Sequence, residues 1–347
     1  MHSKLQRQKA VLKTLAVYLL EGTKVKIFKY SLAALVITVA SISYGAPFPD
    51  KPVRLIVPFT AGGNVDNSAR TIGQGLTEQL GQGVIVENKP GANTLIGAEF
   101  VARANPDGYT LLLGTPESLA INPHVYKKIN YEPLKDFTPV GLVGNFPFAL
   151  VVNPKLPAKN IKEFVALAKS APGKMNYSSW GVGSTSQITF EKFNQVAGID
   201  LVHIPFQGAA PAITAIAADE VQAMMVPLSV ALPQAAGGKV KILGITTSQR
   251  FASAPDIQTF QEQGYSVVMS GWHLIVAPKK TSPAVLQKLN QSLNKALETQ
   301  TTKDALIKIG IEPSPGSMAQ ATKLMHTEYE RWGKTAKDAG ITIEKAE

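Results

Sequence analysis

Short apolar runs alternate along most of this chain with stretches of helical period. Val53-Arg54-Leu55-Ile56-Val57 reads as a strand. Beyond it Val65, Ala69, Ile72, Leu76 and Leu80 recur at spacings of four, three, four and four, one face of a helix over 64–80. Val84–Glu87 is a second short strand, and Asn88-Lys89-Pro90-Gly91-Ala92 is a turn signal ahead of a helix around 95–104. Pro106-Asp107-Gly108 turns the chain into a strand over 109–113. This βαβαβ order predicts a parallel, doubly wound sheet, and the lack of polar alternation in its strands suits a sheet covered on both faces.

A second series starts near Phe148. Strands are expected at 148–152, 175–178, 201–204, 221–226 and 240–246, with helices at 160–169, 186–196, 209–218 and 229–236 between them. Trp272–Pro278 forms another strand and leads to helices over 282–299, 301–309 and 318–339. Leu286, Leu289, Leu293 and Leu297 share one face of the first of these. The series divide the chain into two α/β lobes without a low-complexity linker.

The first 46 residues read differently. Lys24, Lys26 and Lys29 precede the apolar run from Ser31 to Ile42, and Ser43-Tyr44-Gly45-Ala46 supplies small residues, the order of a secretory signal peptide. Cleavage is expected after Gly45 or Ala46. An uncleaved anchor is the alternative, disfavoured because a span needs about 20 apolar residues. A signal peptide of ordinary length starts near Val25. No Cys follows the apolar run, so a lipoprotein anchor is excluded, and export to the periplasm is the expected destination.

The chain has 35 Lys+Arg and 25 Asp+Glu. Residues 1–46 hold seven Lys/Arg and one Glu, which leaves 28 basic and 24 acidic groups, a net charge of +4. The bases are scattered, so nucleic acid is not an expected partner. The absence of Cys excludes disulfides, thiolate metal sites and Cys nucleophiles.

Ligands of doubly wound sheets lie beyond the carboxyl ends of the strands. The loops there share one chemistry: Phe59-Thr60-Ala61-Gly62-Gly63-Asn64, Thr115-Pro116-Glu117-Ser118, Gly183-Ser184-Thr185-Ser186 and Phe206-Gln207-Gly208-Ala209. They are small, rich in Gly and hydroxyls, and contain no Lys or Arg. The first lacks the Lys of a Walker loop and the third Gly of a dinucleotide fingerprint, so a nucleotide is not its natural ligand. A carboxylate could be held there by amides, hydroxyls, helix N-termini and water instead of a salt bridge. For Ser184-Thr185-Ser186 taken alone, N-capping of a helix beginning at Gln187 explains the residues equally well. Asp66 can be a first-turn helix carboxylate, and Glu117 a solvated or capping group. Phe59 and Trp180 can wall a cleft or fill a core.

Catalysis has little support. The five His residues are dispersed, none lies in HExxH, and Ser184 is not in a GxSxG elbow. His203 reads as a hydrogen-bonded structural histidine because no acid partner is evident. No catalytic residue, metal ligand or cofactor is expected.

The runs LIVPFTAGGNVDNSAR (55–70), VIVENKPGAN (84–93), IGAEFVARANPDGYTLLLGT (96–115), INPHVYKKINYEPLKDFTPVGLV (121–143), GSTSQ (183–187) and DLVHIPFQG (200–208) resemble the Bug family. These are the extracytoplasmic solute receptors of tripartite tricarboxylate transporters, and the likeness covers residues 48–345. It implies a periplasmic binding protein fold of type II, two doubly wound lobes around a ligand cleft, with hinge crossovers near 145–148 and 270–274. Lobe 1 would comprise residues 47–146 and 272–347, and lobe 2 residues 147–271. It further implies a monomer that binds a small carboxylate without cofactor or catalysis. The partners would be membrane permease subunits or, on a second reading, a sensor kinase. Asn145 at a crossover and Pro227 at a strand end join the loop residues as candidate ligand contacts.

Three departures bear on the ligand. Gln207 stands where the family commonly has Lys, Val226-Pro227-Leu228 where it often has Phe-Asp-Asn, and Trp180 where a small residue is common. Loss of that Asp removes a partner for a ligand ammonium. The expected ligand is therefore a carboxylate without an amino group, aromatic or dicarboxylic.

Overall fold

A computed structural model describes residues 48–343, so the signal-peptide expectation for residues 1–46 lies outside the described residues. The chain opens with β1 (Val53–Val57), α1 (Asn64–Leu80), β2 (Val84–Asn88), α2 (Leu95–Ala102) and β3 (Thr110–Gly114). A π-type turn (Glu117–Ile121) runs into α3 (Asn122–Val125), and α4 (Pro133–Asp136) precedes the long strand β4 (Phe137–Val152). There follow α5 (Ile161–Ser170), β5 (Asn176–Ser179), α6 (Thr185–Ala197), β6 (Val202–Pro205), α7 (Ala209–Ala217), β7 (Ala223–Pro227), α8 (Leu228–Ala236) and β8 (Lys241–Ile245). The chain then forms β9 (Ser270–Pro278), α9 (Pro283–Glu298), α10 (Gln300–Lys308), β10 (Glu312–Pro313) and α11 (Met318–Asp338).

The strands are ordered β2-β1-β3-β9-β4-β7-β5-β6, with β8 and β10 also joining β4. β1 pairs in parallel with β2 and β3, and β5 in parallel with β6 and β7. The two parallel groups are linked by β4, which spans 16 residues. From Phe137 to Pro147 it runs antiparallel to β9, and from Phe148 to Val152 it runs antiparallel to β7. Ser270, the first residue of β9, lies opposite Pro147, so outgoing and returning chains cross side by side. The Phe137–Pro147 part of β4 has no clear sequence signal. Pro139, Gly141, Gly144 and Pro147 interrupt its apolar pattern, and its register shifts twice, between Pro139 and Gly141 and between Leu142 and Gly144.

Two anchors hold this frame. In α1 the apolar face is buried as its period requires, and the helix stops at Gly81 in the left-handed region (φ 70°). Gly75 inside the helix would ordinarily weaken it, but a Cβ there would meet Ala296 Cβ and Thr302 Oγ1 at 3.0 Å, so its bareness allows α1 to pack closely on α9 and α10. At the other anchor Glu328 Oε2 accepts from Trp272 Nε1 (2.8 Å) and Trp332 Nε1 (2.9 Å), fastening α11 to the crossover strand β9. Among the described residues no helix is long and apolar enough to cross a membrane.

Candidate functional site

The loop after β1 is shaped from behind. Asp66, in the first turn of α1, is only 2 % exposed. Its Oδ2 accepts from the Gly62 N–H (2.9 Å) and Arg70 Nε (3.0 Å), and its Oδ1 from Asn88 Nδ2 (2.9 Å). Asn88 Nδ2 also donates to the Phe59 carbonyl. Burial alone would raise the Asp66 pKa, but the bonds from Arg70, Gly62 and Asn88 outweigh it and hold the carboxyl below its ordinary value. Asp66 therefore braces the loop from behind and does not line the cavity described next. The Gly62 amide, expected to be a ligand donor, is engaged by Asp66, and Ala61 and Gly62 form the exposed tip of the loop, Gly62 with φ +85°.

Next to this loop lies a cavity of about 290 Å³, near the lower end of the range for small-molecule sites. It gathers Phe59, Thr60, Gly63 and Asn64 from the first loop, Thr115 and Glu117 from the segment after β3, and Trp180 and Thr185 from the β5–α6 connection. Gln207, Gly208 and Pro227 complete the expected residues on its wall. A larger groove of about 830 Å³ lies on the outer face near Lys51, Arg54 and Phe100, away from the ends of the strands where these loops converge.

Five more of the expected residues do not line the cavity. Ser118 Oγ accepts from the Thr115 N–H (3.0 Å) and donates to the Thr115 carbonyl (3.1 Å), closing the turn after β3. Ser184 caps α6, whose first residue is Thr185 and not Gln187. Ser186 Oγ donates to the Met225 carbonyl (2.6 Å), into the core. Asn145 Nδ2 donates to Ser314 Oγ (3.2 Å) along the crossover. Phe206 packs on the apolar core around β7 and α7 and lines an outer groove beyond Trp180.

Glu117 departs furthest from its expected solvated or capping role. It is 3 % exposed. Its Oε2 accepts from Thr115 Oγ1 (2.9 Å), and its Oε1 accepts from Thr185 N–H (3.2 Å) and Thr185 Oγ1 (2.7 Å) at the head of α6. The lining residues include no Lys or Arg, so Glu117 is the one formal charge on the wall.

Other wall residues had no distinct sequence signal. Phe146 and Phe148 lie two apart on β4 and so share a face; their rings meet edge to face at 5.7 Å. His273, on β9, is fully buried and stacks obliquely on Phe146 at 5.0 Å. Burial drives its pKa down to about 3, which leaves the ring neutral. Neither ring nitrogen has a hydrogen-bond partner, and neither do Trp180 Nε1 or the carboxamide of Asn64. These orphaned groups come from α1, the β5–α6 connection and the crossover strand, and all border the same space.

One wall is strained. Ala92, Asn93 and Thr94 are consecutive non-glycine residues with positive φ (46°, 47° and 79°). Asn122 secures them: its Nδ2 donates to the Asn93 carbonyl (2.7 Å) and Thr94 Oγ1 (3.2 Å), and its Oδ1 accepts from Asn93 Nδ2 (2.9 Å). His203, outside the cavity, has Nε2 2.7 Å from Ser179 Oγ, the hydrogen-bonded setting its sequence context suggests.

Residues 68–341 match the family model described as the tripartite tricarboxylate transporter family receptor, TctC. The chain belongs to this family. The receptor is 32 % identical to protein BugT of Bordetella pertussis over 319 residues, 90 % of this chain and 98 % of BugT. Among solved structures it is similar to Rpa4515 of R. palustris with adipate (TM-score 0.81, 32 % identity, 85 % of this chain and 99 % of that one). It is also similar to MatC of Rhodopseudomonas palustris with bound malate (TM-score 0.76, 31 % identity, 83 % and 99 %). These likenesses make its fold that of a two-lobed type II periplasmic binding protein. Its membership is in a family of solute receptors, and the site has the features of a binding cavity: aromatic walls, orphaned polar groups and a single anchored acid.

Proposed function

We propose that this receptor is an extracytoplasmic binding protein that captures a small carboxylate and delivers it to the membrane permease subunits of a tripartite tricarboxylate-type transporter. The observation that carries the reading is the convergence of orphaned donors, Trp180 Nε1, the Asn64 carboxamide and His273, on one cation-free cavity. Hydrogen-bond donors left without partners in an apolar site favour a ligand that supplies acceptors. The first turn of α1 adds N–H groups with no intrahelical partner and a dipole that favours negative charge. Adipate and malate in the Rpa4515 and MatC structures support the acid class.

On this reading the ligand lies between lobe 1 (47–146 and 272–347) and lobe 2 (147–271), with β4 and β9 as the hinge. Phe59, Phe146, Phe148 and Trp180 favour an apolar or planar body. The receptor acts as a monomer in the periplasm after removal of residues 1–46.

Thermal unfolding of the purified receptor with a panel of aliphatic, aromatic and dicarboxylic acids tests the assignment. A ligand at one hundred times its Kd adds about 2.7 kcal/mol to native stability, a shift readily measured. The expected result is a selective rise with a subset of the acids. No rise with any acid, and a rise with uncharged sugars or amides, overturns it.

A further inference from the structure

Glu117 is a carboxylate set into the wall of a site read here as one for carboxylates. It is not placed there loosely. Thr115 Oγ1, Thr185 Oγ1 and the Thr185 N–H fix both oxygens, and the head of α6 faces one of them. All three donors are neutral. An ionised carboxylate offers about four acceptor positions, so this one retains about one for a further donor. Burial of an ion without a counter-charge is costly, and no Lys or Arg lines the cavity to supply one.

We propose that Glu117 reads a protonated amine on the ligand, so that the receptor takes an amino-bearing carboxylate in preference to the same acid without nitrogen. This rests on the carboxylate-receptor reading above and names the ligand within it. It reverses the expectation drawn from Val226-Pro227-Leu228. The acid absent from that stretch is supplied from another place in the fold, the segment after β3.

The remaining groups fit such a ligand. Its carboxylate is served by Trp180 Nε1, the Asn64 carboxamide and the Gly63 side of the first loop. Its ammonium is served by Glu117. His273, neutral because it is buried, provides a lone pair as well as an N–H and adds no competing cation. A second ligand carboxylate would instead enter a space that already holds one negative charge and no positive one.

The test is isothermal titration of the full receptor with paired ligands, each α-amino acid beside its desamino and its α-hydroxy counterpart. L-phenylalanine, 3-phenylpropionate and 3-phenyllactate are one set; L-leucine and L-glutamate head the aliphatic and acidic sets. The wild type is expected to bind the amino member of its best set at least about tenfold tighter, which corresponds to about 1.4 kcal/mol. Glu117→Gln keeps the shape and hydrogen-bonding reach, and is expected to abolish that preference by weakening the amino acid and strengthening the desamino acid. Thr185→Val loosens one anchor of Glu117 but leaves its charge, and is expected to narrow the preference for the amino acid without abolishing it.

Equal or tighter binding of the desamino or hydroxy acid by the wild type overturns the proposal and leaves the carboxylate reading intact. A uniform loss for all members in Glu117→Gln also overturns it, since Glu117 would then act only through Thr185. No binding in any set overturns the proposal, and the wider thermal panel of acids then decides the carboxylate reading by itself. If Glu117→Gln does not fold, the wild-type and Thr185→Val comparisons decide.

Discussion

Thr185 donates both its backbone N–H and its Oγ1 to the same oxygen of Glu117, although the two residues are 68 positions apart. The bond ties the segment after β3, on the β1–β3 side of the sheet, to the head of α6 on the β5–β7 side. The cavity lies where the two sides meet, so its geometry depends on this pair.

Thr185→Val removes the shorter of the two bonds and leaves the other. A hydrogen bond to a charged group contributes about 1.5–3 kcal/mol, so chemical denaturation should show a loss in that range. An unchanged denaturation midpoint with an unchanged slope would show that the Thr185 Oγ1 bond contributes nothing to the folded state.

Asp66 gives a pH signature. Its folded pKa is held below the unfolded value of about 3.9, so its contribution is present above that value and is lost as pH falls through the lower folded value. Asp66→Asn should be less stable than wild type near neutral pH, and the difference should shrink as pH falls through the ordinary carboxylate range and below it. Urea unfolding of both proteins across that window measures it. A difference that persists unchanged in acid contradicts the assignment.

Gly63 and Thr60 separate the backbone from the side chain in the first loop. Gly63 has an ordinary extended conformation (φ −82°), and a Cβ there has only the Thr60 carbonyl within 4 Å, at 3.9 Å. Gly63→Leu should therefore fold with nearly the wild-type Tm yet invade the cavity and abolish the thermal response to ligand. Thr60 is exposed at the rim, and Thr60→Ala should retain most of the response. Equal losses from the two changes would refute a backbone-centred first loop.

Asn122→Ala removes three hydrogen bonds that hold the left-handed run Ala92–Thr94. The loss should be about 2–3 kcal/mol. Amide exchange should accelerate at residues 91–95 more than elsewhere, because the strained conformation then loses its main side-chain support. Uniform exchange across the chain would mean that the loop is not held locally.

Much of the frame was legible without coordinates. Helix 64–80 is legible to its ends because its apolar period runs uninterrupted from Val65 to Leu80. The parallel strands showed as short, mostly apolar runs between turn signals, β5 (Asn176–Ser179) being the polar exception, and the loops beyond them as small and hydroxyl-rich. The first part of β4 was not legible, since its glycines and prolines serve two bulges and a change of partner that only distant strands require. The helical turns at 117–125 and 133–136 likewise lack a period long enough to read.

Inside the site, local sequence determined residue type and position along the backbone. Gly63 and Asn64 precede a helix whatever else packs on it, and Trp180 follows a strand. Which side chain faces the cavity was a tertiary decision. Asp66 and Glu117 are both acids in the first turn of a helical segment that follows a strand. Asn88 and Arg70 draw Asp66 behind its loop, whereas Thr185 holds Glu117 on the cavity wall. His273 follows the same logic: it sits in the otherwise apolar run Gly271–Pro278 of β9, and only the crossing with β4 places its ring against Phe146 at the cavity. Most backbone conformation follows from neighbours in sequence, the left-handed run Ala92–Thr94 held by Asn122 being an exception. The direction of a buried polar group follows from the partners that can satisfy it, and here the partners for Asp66 and Glu117 lie as far as 22 and 68 residues away.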